Sequence, residues 1–480
     1  MAIASPALRP RALGELVAIG LAAAFVVACF ATGQYLVALA VAGLGALAAV
    51  TYRWPAPGIA LVIFLSTDGM KFFSLEKLPY LQLGPGLRLN AGDIMLLVLL
   101  GVGVAHLARR RERPLFATPL LVLGTAVMIS MGVGLVSGTI DVGLGFNGLR
   151  VFSGLLFYVA LVGLVDTPAK LRSVIRVVFL LVVVSVVVQV VEAGLGERIA
   201  TPLSSTSEYF SSTKFVSNVE GTVPYLWNRA VGYLFVGFFL SLGAWLWSKR
   251  IGYGVVALVG LTGFVVALVR QWYVFLVIGV LVLLMVGSRN RSGALMRVAL
   301  ASMLMLALVM SASNWLPSGF PLAEALQDRT GSILNFSSDY SVLARVEVWQ
   351  GQIATFMESP IVGLGPGTAE TLFSSMTSGW STDIGMTNSL VQFGVLGLAA
   401  IAFLGASVYR KARALITAMP ASSGREYAAA AFSLWVAILI AYTFTQDFFT
   451  STELCFATGL VMTIIDRLYA FSSGAPRLRG

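Results

Sequence analysis

Four arginines stand where an apolar chain has little reason to keep them: Arg150, Arg229, Arg270 and Arg345. A guanidinium stays charged at any relevant pH, and its planar fork matches the oxygens of a phosphate or diphosphate. An ionisable group at membrane depth costs on the order of 2.5–3.5 kcal/mol at a helix centre, so several of them together point to an anion. Arg270 is followed at once by Gln271, Trp272 and Tyr273, where a snorkelling arginine in an interfacial aromatic belt is the alternative. Arg229, after Trp227 and Asn228, has the same alternative, and Arg150 reads equally as glue between helices.

A second group follows Arg345. Leu343, Val346, Trp349, Ile353 and Phe356 recur at three- and four-residue spacing, so 344–357 is predicted to be an amphipathic helix. Such a helix lying on the membrane would hold Arg345 over a headgroup, with Trp349 beside it. The interval 314–385 carries seven carboxylates (Glu324, Asp328, Asp339, Glu347, Glu358, Glu370, Asp383) against Arg329 and Arg345. A salt bridge from Arg345 to Glu347 or Asp339 therefore competes with ligand binding. Pro360 should stop the helix. Gly363, Gly365, Pro366 and Gly367 then force a tight turn, or a nest whose amides face an anion. Thr387 and Asn388 open the next apolar run, where both types cap helices well and the helix start attracts negative charge. Gly394 and Gly397 would let another helix approach closely.

The elements that must position these residues are membrane helices. With 58% hydrophobic and 11% charged residues over 480 positions, the chain is an all-α polytopic membrane protein in a single membrane domain, 1–480. Runs of about 17–25 apolar residues suffice to span, and each must be helical because hydrocarbon satisfies no backbone group. Fourteen are predicted: 12–32, 35–51, 57–73, 93–108, 118–137, 146–165, 173–194, 227–247, 252–269, 271–287, 295–313, 386–407, 427–445 and 450–468. The first lacks a small-residue cleavage site and is read as retained.

Cations set the orientation. With a cytoplasmic N-terminus, most of the 32 Lys and Arg fall in alternate loops, including Arg109, Arg110, Arg111, Arg113, Lys249, Arg250, Arg410, Lys411 and Arg413. Both termini are then cytoplasmic, and the net charge of +10 reports topology rather than a nucleic-acid partner. Two polar intervals fall outside, a shorter loop at 195–226 and a large one at 314–385, and a loop as long as the second carries function or structure of its own. Cys29 and Cys455 lie within spans, which argues against a disulfide framework or a cysteine metal site.

The order of Arg345, Trp349, Glu358 to Pro360, Gly363 to Gly367, Asn388 to Leu390 and Gly394 to Gly397 resembles the signature region of the bacterial O-antigen ligase/polymerase superfamily. Arg270, two spans before the large loop, looks like that family's second essential arginine. Detailed similarity covers about 225–410; the N-terminal half agrees in character only. The resemblance implies a GT-C-like membrane glycosyltransferase of the inner (cytoplasmic) membrane with a periplasmic site formed by short helices in the large loop. Its substrate would be an undecaprenyl-diphosphate-linked glycan presented from the lipid bilayer, with a chain-length regulator protein as a further partner. An acceptor hydroxyl would attack the anomeric carbon with inversion, without nucleotide sugar, cofactor or metal, while arginines stabilise the leaving diphosphate. Gly365, Gly367, Arg150 and Arg229 would then contact substrate.

One departure is chemical. The ligase branch has histidine before the asparagine matched by Asn388, and here that place is Thr387. The one histidine, His106, sits beside Arg109 at the cytoplasmic end of its span, on the wrong face. A general base must then be a carboxylate, with Asp383 first and Glu347 second. This shifts the expectation from ligase toward polymerase. A flippase or other transporter is the competing class, with Asp68, Glu192 and Asp447 as its candidate groups, although midplane charges and matched broken helices in two halves are not evident.

Overall fold

The computed structural model describes parts of 43–60, then 81–84, 87–89, 91–195, 215–218, 221–224, 231–267, 270–287, 340–369, 385–419, 424–444, 448–449 and 452–472. Among these residues the chain is helical, and six helices are long and apolar enough to cross a membrane: Ala117–Ser137, Val142–Leu164, Pro168–Val191, Gly385–Ala418, Arg425–Phe444 and Leu454–Ser472. Shorter apolar helices occupy Gly232–Ser248, Ile251–Ala267 and Trp272–Val286. The expected spans at 12–32, 35–51 and 295–313 lie outside the described residues, as does most of 57–73.

In chain order the helices are α1 (Ala91–Arg110), α2 (Ala117–Ser137), α3 (Val142–Leu149), α4 (Ser153–Leu164), α5 (Pro168–Leu195), α6 (Val231–Ser248), α7 (Ile251–Ala267), α8 (Arg270–Gly287), α9 (Tyr340–Phe356), α10 (Gly385–Ala418), α11 (Arg425–Phe444) and α12 (Thr452–Ser472). The expected span 146–165 falls in the helical run Val142–Leu164, within which a 3-10 turn at Arg150–Phe152 joins α3 to α4.

Two short antiparallel hairpins accompany the helices, β1 (Leu81–Gly84) with β2 (Leu87–Leu89), and β3 (Phe215–Asn218) with β4 (Gly221–Pro224). Leu81, Leu87 and Leu89 alternate with polar Gln82 and Arg88 around Gly84, Pro85 and Gly86, a period of two that suits a strand pair rather than a helix.

The centre of the bundle is α4, between α1 and α12. Glycine permits this closeness. A Cβ at Gly154 would lie 2.1 Å from the Cys455 carbonyl carbon, and one at Gly163 2.1 Å from the Gly103 carbonyl oxygen. Lipid supplies no hydrophobic drive between helices, so backbone approach of this kind is what holds them. An aromatic cluster joins α6, α7 and α8: Phe235 lies edge-on to Trp272 at 5.6 Å and meets Phe264 at 4.8 Å. Trp272 is fully buried there, so the tryptophan beside Arg270 is a packing residue and not part of a lipid-facing belt.

The two ends of the bundle differ. At one, the C-terminal ends of α1 and α12 meet the segment before α2 in a buried charged cluster. Arg467 reaches Glu112 at 2.7 Å and Asp466 at 2.5 Å, and Arg110 reaches Glu112 at 3.1 Å. The Asp466 carboxylate also accepts from Tyr158 at 2.6 Å and from the Leu115 amide at 2.7 Å. At the other end, the corner between α2 and α3 meets the glycine-rich turn after α9.

Candidate functional site

The site is assembled from α9, the turn that follows it and the first ten residues of α10. Helix α9 closes with bonds from Met357 to Ile353 and from Ser359 to Phe356, and Pro360 ends it as its ring dictates. The turn then runs through Gly363 (φ 74°), Gly365 (φ 108°) and Gly367 (φ 87°), three left-handed positions that suit glycine alone.

The turn is seated in a break in α10. At Gly394 (φ 61°, ψ −165°) the helix is interrupted, in a region of conformation essentially closed to other residues. An unbroken helix would join the Val395 amide to Val391 and the Leu396 amide to Gln392. Instead Val395 donates to Pro360 (2.9 Å) and Leu396 to Ile361 (3.0 Å), while the carbonyls of Val391 and Gln392 accept from Leu364 (2.9 Å) and Gly365 (3.0 Å). Non-helical backbone within a membrane helix is tolerated where protein buries and satisfies it, and here the turn does both. Ser130 of α2 adds a bond to the Gln392 carbonyl at 2.5 Å, and Thr139 donates to the Leu364 carbonyl at 2.7 Å.

This corrects the reading of the turn as an open nest. The Gly365 and Gly367 amides are directed to Gln392, the first to its backbone carbonyl and the second to its side-chain Oε1 at 2.7 Å. It also corrects the reading of Gly394 and Gly397 as a helix-contact face. The Ile361–Val362 backbone approaches Gly394, and the Phe393 ring of the same kinked helix presses on Gly397.

Thr387 and Asn388 are within the first turn of α10, which begins at Gly385, and not at its cap. Both are buried. The Thr387 hydroxyl donates to the Gln352 side chain on α9. Asn388 Oδ1 accepts from Gln392 Nε2 at 2.8 Å, one helical turn further on. Ser389 meets the Tyr442 hydroxyl of α11 at 2.7 Å. Val348 and Gln352, one turn apart on α9, are both buried, and Gln352 meets α10 through Thr387. Trp349 is 44% exposed, in a stripe with Val346, Ile353 and Met357. The apolar side of α9 therefore faces outward, away from α10.

Arg150 is held elsewhere. Its guanidinium makes a two-point ion pair with Asp93 in the first turn of α1, at 2.8 and 3.3 Å. That geometry ties α1 to the junction of α3 and α4. Arg270 is described by its backbone as the first residue of α8, and Arg345 likewise within α9. Arg229 and Asp383 lie outside the described residues, as do Asp68 and Asp447.

Sequence reasoning passed over Gln352, Gln392, Ser130 and Thr139, which knit the site together. The available signal was polarity out of place: Gln392 and Ser130 are side-chain hydrogen-bonding groups inside otherwise apolar spans, and such groups seek partners. Among the described residues no group of three His, Cys, Asp or Glu side chains could hold a metal ion. No protein-family model matches the chain, and no curated protein matches it in sequence.

Proposed function

We propose that the chain is a glycosyltransferase of the bacterial inner membrane, spanning it fourteen times with both termini cytoplasmic, that polymerises lipid-diphosphate-linked oligosaccharide units on the periplasmic side. Arg270 and Arg345 hold the diphosphate and stabilise the charge that develops on it as the sugar departs. A hydroxyl of the acceptor glycan attacks the anomeric carbon, and Asp383 takes its proton.

One observation carries this reading. The segments whose order resembles the ligase/polymerase signature are separate in sequence, yet α9, the glycine turn and the start of α10 form one hydrogen-bonded unit through Gln352, Thr387, Asn388, Gln392 and Gly367. Spacing alone does not require that joining. Thr387 spends its hydroxyl proton on Gln352 and has no basic nitrogen, which favours a carboxylate base and the polymerase branch over the ligase branch.

The test is the surface polysaccharide of a deletion strain complemented with the wild-type chain, Arg270→Ala or Arg345→Ala. Single repeat units in the deletion and in both well-expressed variants support the polymerase. Intact but unattached polymer would assign ligation instead, and unchanged long chains would reject the role of the arginines.

A further inference from the structure

Helix α9 has three sides. Val348 and Gln352 are buried on the first, where Gln352 meets α10. Glu347, Gln350 and Glu358 are exposed on the second. The third carries Val346 (45% exposed), Trp349, Ile353 (39%) and, just past the helix, Met357 (66%). At 3.6 residues per turn these four fall within about 80° of one another, and both carboxylates lie outside that arc. A contiguous exposed apolar patch marks contact with another apolar phase.

The course of the chain says which phase. The stripe runs on to Ile361, which is 71% exposed in the glycine turn. The Leu396 amide donates to the Ile361 carbonyl and the Val395 amide to that of Pro360, so Ile361 is set beside Val395 and Leu396. Those two are exposed, and they begin an outward side of α10 that continues through Ala399 and Phe403. Helix α10 is long and apolar enough to cross a membrane and has no charged residue from Gly385 to Tyr409, so this outward side is a lipid-facing one. Its first cation is Arg410. The sixteen residues from Gly394 to Arg410 rise about 24 Å, against a hydrocarbon core of about 30 Å. With Arg410 at one boundary of the core, the break and the turn seated in it lie just inside the other.

We infer that α9 is embedded in the bilayer boundary at the end of the bundle opposite the Asp466 cluster. Val346, Trp349, Ile353, Met357 and Ile361 lie against acyl chains, and Glu347, Gln350 and Glu358 stay in water. The occupant of the stripe is membrane lipid, and the inference does not depend on the transferase reading. Interfacial helices bury an apolar face at this level, and tryptophan favours it. The turn sets the depth. Because its backbone is bonded into the gap of α10, α9 cannot lift from the lipid without breaking those bonds.

Depth-dependent fluorescence quenching of the purified full-length protein in phospholipid vesicles tests this. Cys29 is replaced by serine, and Cys455 is buried beyond a label's reach. Ile353→Cys, Met357→Cys, Gln350→Cys and Phe403→Cys, all at exposed positions, then each carry a small fluorophore. A nitroxide lipid with its quencher near the headgroup should dim the Ile353→Cys and Met357→Cys labels more than one with its quencher near the chain end. The order should reverse for Phe403→Cys, further along α10. Acrylamide in the water should quench the Gln350→Cys label far more than those two. Acrylamide quenching of Ile353→Cys and Met357→Cys equal to that of Gln350→Cys would overturn the inference. So would labels there that neither lipid nor water quenchers reach, since another part of the chain or a second copy would then cover the stripe. Absence of lipid quenching at Phe403→Cys would remove the lipid-facing side of α10 and sink the inference with it.

Discussion

Gly394 and Ile361 touch backbone to backbone: a Cβ on Gly394 would lie 2.4 Å from the Ile361 carbonyl carbon. The contact exists because α10 opens at Gly394 to admit the turn after α9. Gly394→Ala must therefore meet both a clash and a left-handed, extended conformation. The conformation alone costs on the order of 1–3 kcal/mol. Thermal unfolding in detergent should show a clear drop, with polymer lost in cells. A variant as stable as wild type would mean that α10 runs unbroken.

Asp466 joins Arg467, Tyr158 and the Leu115 amide in a buried cluster at the opposite end. Removing one partner of a buried pair typically costs about 3–5 kcal/mol because a charge is left stranded. Glu112 also pairs with Arg467, so Asp466→Asn should fall at the lower end of that range. Replacing Asp466 and Arg467 together by leucine and methionine should recover part of the loss. Equal losses in the single and double variants would show that packing, not charge, is what matters there.

The Arg150–Asp93 pair is partly exposed, with 36% and 18% of the two side chains accessible. A pair of that exposure couples by about 1 kcal/mol or less. Arg150→Ala and Asp93→Ala should each lower stability slightly, and the double variant should lose less than both losses combined. Polymer length should survive all three. Loss of polymer in Arg150→Ala with full stability would return Arg150 to the substrate.

Asp166, before α5, is pushed up by burial but pulled down further by its bond and charge contact with Lys170, so its carboxyl sits below the ordinary range. A carboxylate with a depressed folded value stabilises above its unfolded value, and the benefit fades as the pH falls through the folded one. Wild type should therefore exceed Asp166→Asn in stability at neutral pH. The two should converge below the usual carboxylate range. A gap that persists in acid would point to something other than charge.

Much of the helical layout was legible because a membrane span announces itself by length and apolarity. The boundaries of α2, α11 and α12 fall close to the apolar runs. The stop at Pro360 and the glycine turn followed from backbone sterics. The partner of the turn did not, since Gly394 reads equally as a helix-packing glycine until a second backbone is seen against it. The 3-10 turn inside 146–165 left no clear mark in the sequence, because the run is apolar apart from Asn147, Arg150 and Ser153. Gln392 was overlooked for a related reason: one polar residue in a greasy run tells of a partner without saying where it is. The outward side of Trp349 escaped too, since an apolar stripe at helical spacing marks a face but not what lies against it.

The four backbone bonds between the turn and α10 join stretches that are near neighbours in the chain. As α10 is synthesised, the segment that fills its gap has already been made, whereas α11 and α12 have not. The interruption can thus be sealed during biogenesis by an earlier part of the same nascent polypeptide, and bare amides need never wait in oil for a later helix.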